Sequence, residues 1–289
     1  MSADKQKRTL QAAAAVLLLA GMALIGITEK SLAEYRAAAA RHGGQVIDLG
    51  SSEHPDAGQS AGEMVRVVGP INVVEPPYDE QFNQRFDAPV LIRHVEMFQW
   101  REVHIGEQLH YEMDWVDRPV DASRFAQPSG HDNPGGFPIE GKQFDARQVR
   151  VNQLILSPPL LHALPGSERV APDMKQLPSN LAASFSLYQN YLMTSATPAN
   201  PRLGDLRVSW EIAPKQTVTV FARLDGERLA PASDAADGKG YDIQSGDRAL
   251  TDIFPDLPLP PGGVWMRRVL ALLLIVAGVL LWVRARRNP

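Results

Sequence analysis

Four histidines and a glutamate carry the most chemical potential in this chain. His94 and Glu96 lie two residues apart in an alternating stretch, so both project from one face of a strand. His104 and His110 follow within the reach of one hairpin. Two imidazoles and a carboxylate are the ligand types that bind a divalent metal. A glycine-rich run, Gly130-His131-Asp132-Asn133-Pro134-Gly135-Gly136, places a further imidazole in a loop. The metal candidates are therefore His94, Glu96 and His131, although their spacing follows no known zinc pattern. The competing reading is a half-exposed polar strand face and a turn shaped by Asn-Pro and Gly-Gly. The acidic segment with Asp234, Asp237, Gly238, Asp242 and Asp247 lacks the ligand spacing of an EF-hand loop and reads as a solvated loop. There is no G-x-S-x-G elbow, Walker A loop, G-x-G-x-x-G or H-E-x-x-H. Nothing assembles a nucleophile, a base and oxyanion donors, so no catalytic residue and no cofactor is expected. The chain has no cysteine, which excludes disulfides, thiolate metal sites and a cysteine nucleophile.

The elements that must position these residues are framed by two apolar runs. Leu10 to Ile27 is almost uninterrupted, and Val269 to Val283 is the second. About 20 apolar residues carry a helix across the hydrocarbon core. Lys5, Lys7 and Arg8 precede the first run, and Arg284, Arg286 and Arg287 follow the second. Between them, the 23 basic and 32 acidic residues of 9–283 leave a net charge of −9. Basic ends and an acidic middle fit cytoplasmic termini with the middle on the other side. The acidic middle also argues against a nucleic-acid partner. The expected layout is a cytoplasmic N-terminus at 1–8, a transmembrane helix at 9–28, an extracytoplasmic domain at 29–263, a second transmembrane helix at 264–283 and a cytoplasmic tail at 284–289. Ser31-Leu32-Ala33 resembles a cleavage site, so a removed signal peptide competes with an uncleaved anchor. The length of the run, and Glu29 and Lys30 after it, favour the anchor.

Between the spans, Ala33 to Arg41 extends the first helix until Gly43-Gly44 ends it, and a polar loop runs to Gly62. The period then changes to two. Met64 to Val68 reads as a strand ended by Gly69-Pro70, Val90 to Arg101 as a strand paired with Leu109 to Val116, and Val149 to Leu156 as a strand halted by Pro158-Pro159. Leu177 to Tyr191 reads as weakly helical. Leu206 to Ile212 and Thr217 to Leu224 are strands, and Asp225-Gly226 signals a type I′ hairpin. Ala230 to Arg248 reads as a mobile loop, and Pro255, Pro258, Pro260 and Pro261 as an extended connector. The fold class is mostly β (α+β), a barrel or sandwich between two transmembrane helices.

Arg93-His94-Val95-Glu96-Met97-Phe98-Gln99-Trp100 resembles the signature of the transmembrane protein 43 (LUMA) family. Trp115, Gly130-His131-x-Asn133-Pro134, Gly204 to Ser209, Val218 to Arg223, Gly226 and Leu229-Ala230-Pro231 follow in the family's order, as do Glu29 and Arg36-Ala37 after the first span. Trp265, Arg268 and Gly278 are similar to its second span. The resemblance implies a large domain between the first and second spans, on the lumenal or, in bacteria, the periplasmic side. It implies a non-enzymatic protein that organises membrane protein complexes and self-associates. Family members typically have four spans, and two are seen here. The expected partners are the lipid bilayer, other membrane proteins and a second copy in a homo-oligomer. The expected location is a bacterial inner membrane with the domain periplasmic, or the endomembrane and nuclear envelope in a eukaryote. The alternatives are an extracytoplasmic metal-dependent hydrolase and a ligand-binding sensor.

Overall fold

In the computed structural model, residues 3–52, 61–258 and 261–287 are described; Pro260 of the expected connector lies outside them. In chain order the strands of the first half are β1 (Val46–Gly50), β2 (Met64–Glu75), β3 (Tyr78–Asp79), β4 (Gln84–Arg85), β5 (Val90–Ile105), β6 (Gln108–Val116), β7 (Lys142–Asp145) and β8 (Gln148–Val151). The second half adds β9 (Leu154–Leu156), β10 (Glu168–Val170), β11 (Ser186–Tyr188), β12 (Tyr191–Met193), β13 (Leu206–Ile212), β14 (Thr217–Asp225), β15 (Arg228–Ala230) and β16 (Asp242–Ser245). The helices are α1 (Ala3–Arg41), α2 (Pro158–His162), α3 (Ser179–Ser184), α4 (Leu250–Ile253) and α5 (Val264–Arg287). Two compact units result. One holds 48–231 and 241–248; the other holds both long helices with 232–240 and 249–258.

The β unit is built on two sheets. In the first, β2 pairs β8, β8 pairs β9, β9 pairs β15, β15 pairs β14, and β14 returns to β2. These five strands close a ring, which removes their edges from solvent. Val65, Val67, Val149, Val220 and Leu229 are fully buried there. The second sheet runs β11-β12-β13-β5-β6, with β10 on β13 and β7 on β5. Its buried face packs Leu91, Val95, Met97, Val208 and Trp210 around Phe82.

Several local expectations are corrected. β2 runs through Gly69-Pro70 instead of ending there. Pro70 stands opposite Thr217, where the β14 ladder ends, so its missing N–H costs little. A Cβ at Gly69 would fall 2.2 Å from the Asn152 amide oxygen, so glycine lets that side chain bond Val68. The 149–156 run is two strands around a turn at Asn152, whose φ is 54°. Pro158 and Pro159 open α2, because proline suits the first turn of a helix. Within 177–191 only α3 is helical, and β11 and β12 form a hairpin. The β14–β15 loop is Gly226-Glu227, and only Gly226 has positive φ, which is the II′ pattern. β1 lies within the expected polar loop, and β16 lies within the expected mobile one; its single buried apolar residue, Ile243, was too short a pattern to read.

The helical unit matches the sequence more closely. α1 is continuous to Arg41 and spans about 58 Å at 1.5 Å per residue, well beyond a hydrocarbon core of about 30 Å. Ala14, Gly21, Thr28 and Tyr35 are buried at every seventh position of α1, and Ala271, Gly278 and Ala285 on α5. A strict heptad seam of this kind winds two helices into a left-handed antiparallel pair. Thr28 satisfies its hydroxyl on the Leu24 carbonyl at 2.7 Å. Arg268, anomalous by the charge pattern alone, is neutralised by Glu29 at 2.7 Å.

At the C-terminal end of α1, the His42 ring packs tilted on Phe254 at 4.1 Å and faces Asp237 at 3.0 Å and Asp256 at 3.4 Å. Burial pushes the Asp237 carboxyl up. The N–H groups of Gly240 and Lys239 and the His42 ring outweigh it, so its pKa lies below the usual 3.8. The stability it adds is therefore complete above pH 3.8 and is lost as pH falls through its lowered folded value. Amide exchange at Gly240 should accelerate over that acid range, and Asp237→Asn should abolish the pH dependence. A flat wild-type profile would contradict this linkage.

Candidate functional site

The outer face of the second sheet carries the candidate residues, because even-numbered positions of β5 point away from the core. A cleft of about 400 Å³ opens there, lined among others by His94, Glu96, Arg101, Trp115, Arg169 and Glu211. Ser209 forms part of its floor. β13 lies beside β5 with Arg207 opposite Glu96 and Ser209 opposite His94. Arg207 grips both Glu96 oxygens, at 2.5 and 2.7 Å, and also lies 4.8 Å from the Trp115 ring and 4.9 Å from Tyr191. Arg169 covers the other side of the array, bonding the Tyr191 hydroxyl at 2.6 Å. Bidentate pairing and guanidinium–aromatic stacking together fix an arginine far more firmly than a single exposed ion pair.

His94 Nε2 faces Glu211 at 3.0 Å. Ser209, His94 and Glu211 thus line one wall, but no hydrogen bond joins Ser209 to His94 among the contacts of the described residues. Three arginines, Arg101, Arg118 and Arg169, are among the residues that line the cleft. The cleft can hold a charged group by ion pairing.

His131 lies elsewhere. Its ring stacks on Tyr111 at 3.9 Å and meets the Trp100 edge at 4.8 Å, and its Nδ1 donates to the Gln127 carbonyl at 2.9 Å. Tyr111 in turn donates to Glu102 at 2.8 Å. Burial and that bond to a carboxylate raise the Tyr111 pKa above 10.0, against a lowering by the Gln127 N–H. His104 stands opposite Leu109 and His110 opposite Val103, so the two imidazoles occupy opposite faces of the hairpin. Glu96 is committed to Arg207, and among the described residues no three His, Asp or Glu side chains are gathered as a metal site.

The eight residues from Arg93 to Trp100 each acquire a structural task. Arg93 is 4 % exposed and binds both oxygens of Asp79, at 2.7 and 2.9 Å, and the Glu140 carbonyl. Val95 and Met97 fill the core, and Phe98 packs on Trp115 at 5.3 Å. Gln99 is fully buried; it donates to the Arg118 carbonyl and accepts from the Val120 N–H. Trp100 exchanges two backbone hydrogen bonds with the Asn133 amide, at 2.8 and 2.9 Å. Sequence reasoning missed Asp79, because a buried polar partner on a two-residue strand leaves no periodic signal.

A family model described as transmembrane protein 43 matches residues 97–286, most of the chain. The chain belongs to the transmembrane protein 43 family. Similar curated proteins are transmembrane protein 43 of Homo sapiens, 24% identical over 225 residues, and of Pongo abelii, 25% identical over 225 residues. Each alignment covers 70% of this chain and 56% of the relative. A homolog in Drosophila melanogaster is 27% identical over 186 residues, covering 59% of this chain and 48% of that protein. The chain thus spans about half the length of these relatives. No solved structure matches it. Its two long apolar helices accord with a membrane protein of this family.

The family block gives a direct test of the loop that carries His131. Asn133 takes the place of a neighbouring strand beside Trp100 and also donates to the Val120 carbonyl at 3.2 Å. Asn133→Ala should destabilise the unit by about 2 kcal/mol, since it leaves part-buried backbone groups unpaired. Amide exchange at Trp100 should rise most. Protection retained at Trp100 would show that the loop is held by its aromatic contacts instead.

Proposed function

We propose that this family member is a non-enzymatic organiser of membrane protein complexes, presenting its β unit on the extracytoplasmic side of the membrane that its two long helices span. The heptad seam between α1 and α5 carries the reading: a paired anchor holds both ends of the β unit at one membrane and raises its effective concentration near membrane neighbours. The charged cleft supports it, because Glu96 is committed to Arg207 and His94 to Glu211. β6 supplies the recruiting surface. It closes its sheet as an edge strand, and Met113 on it is 42 % exposed. An edge strand can take up an extended segment of a partner by backbone pairing.

The test is crosslinking of a tagged copy in native membranes, followed by native gel and mass spectrometry. Defined partners that are lost when β6 is interrupted by Tyr111→Pro or Met113→Pro would support organisation through this edge. A monomer without partners, or partners indifferent to β6, would defeat it. Orientation has a separate test, since the chain has no cysteine of its own. Glu107→Cys at the β5–β6 turn should react with an impermeant maleimide applied from outside. Labelling only after the membrane is broken would reverse the topology.

A further inference from the structure

On the outer face of the second sheet, Arg169 and Glu211 stand directly opposite each other across the β10–β13 pair. Opposite charges in that position ordinarily attract each other. Here the side chains turn apart, and no ion pair joins them among the described residues. Arg169 donates to the Tyr191 hydroxyl and lies 5.1 Å from that ring, while Glu211 faces the His94 imidazole at 3.0 Å. Both still line the cleft of about 400 Å³. Most N–H donors of Arg169 stay unused, and the hydroxyl that it bonds is neutral. The segment after β6 brings Asp117 and Arg118 to the same cleft. The Arg118 carbonyl is held by the fully buried Gln99. Its guanidinium makes no hydrogen bond or ion pair among the described residues, and Asp117 has no ion pair there either. Glu96 and Arg101, which also line the cleft, are neutralised by Arg207 and Asp114.

We propose that this cleft binds a small dipolar ligand with the chemistry of a free α-amino acid, its carboxylate on Arg169 and its ammonium on Glu211. The choice of occupant follows from charge. A simple anion would meet Arg118 and Arg169 but also Asp117 and Glu211, and a simple cation would meet the reverse. A ligand that carries both charges satisfies both sets at once. A guanidinium already placed by a ring and a hydroxyl takes a carboxylate with little further ordering. The size agrees, since small-molecule sites run upward from about 300 Å³. This inference does not depend on the organising role proposed above.

Saturation-transfer NMR of the full chain in mild detergent, titrated with each common L-amino acid in turn, tests it. At least one should bind, and its N-acetyl and α-amide forms, which each lack one charge, should bind about tenfold more weakly. These capped forms test the wild-type chain and need no variant. Arg169→Gln and Glu211→Gln should each weaken binding by a similar factor, while circular dichroism reports that the fold persists. Lys215→Gln, which removes an exposed charge outside the cleft, should leave binding unchanged. Silence from every amino acid would overturn the proposal. So would a capped form that binds as well as its parent, because the site would then read one charge only. Binding that survives both cleft substitutions, or falls equally in Lys215→Gln, would place the ligand elsewhere and overturn it too.

Discussion

Asp79→Ala is expected to destabilise the β unit by about 3–5 kcal/mol, the usual cost of removing one partner from a buried ion pair. Asp79 is fully buried and Arg93 is 4 % exposed, so neither charge can turn to water. The carboxylate also accepts from the Trp210 indole N–H at 3.0 Å and from the Phe82 backbone at 3.4 Å. Its removal strands a guanidinium held between Phe82 and Phe144, at 5.0 and 5.6 Å, and an indole donor buried in the same core cluster. Denaturant unfolding of the full chain in detergent, followed by Trp fluorescence, measures the loss. Asp79→Leu/Arg93→Met should recover much of it, since replacing a buried pair by apolar groups of similar volume is often near neutral. If Asp79→Ala cost less than about 1 kcal/mol, water would have to reach Arg93, and the buried pairing would be incorrect.

That pair also shows what the sequence could convey. The alternation of β5 was legible, and so was its partner β6, because hydrophobic periodicity reports a strand's buried face directly. The same alternation put Arg93 and Gln99 on the buried side, where composition alone would not place them. Their partners, Asp79 and the Arg118 and Val120 backbone, come from short or irregular segments whose positions depend on the finished fold. The candidate residues are dispersed for a related reason. His94 and Glu96 do share a face, as period two requires, but each finds its partner on β13, more than a hundred residues away in sequence. Strand spacing gives the face; cross-strand register decides what the face contacts, and register is fixed by turns and bulges spread along the chain. The long helices were legible throughout, since hydrophobicity and length suffice to define a span. Their seam was present too, as small residues repeated every seven, although the apolar background hid it.

Gly278→Leu is expected to force α1 and α5 apart within the membrane. A Cβ at this position would stand 2.8 Å from Leu18 Cγ and 3.1 Å from the Ala14 carbonyl oxygen, and one at Gly21 would stand 2.6 Å from Ile275 Cγ1 and 2.9 Å from the Ala271 carbonyl. Backbone on the far side of each contact cannot yield as a flexible side chain does. In lipid, close backbone approach is a main source of helix association, because leucine gains little by leaving one apolar surroundings for another. Each overpacked position should cost about 1–3 kcal/mol, and the Gly21→Leu/Gly278→Leu double variant should lose the pair. In the cysteine-free chain, Glu29→Cys and Arg268→Cys replace an existing ion pair, so a short bis-maleimide reports whether the helices remain side by side. Crosslinking should fall severalfold in Gly278→Leu and further in the double variant. Gly26→Leu is the control: nothing lies within 4 Å of its Cβ, so the same added volume should leave crosslinking intact. Equal loss at Gly26 would mean that leucine harms the span by some route other than the seam, and unchanged crosslinking in the double variant would mean that the two helices are held together without it.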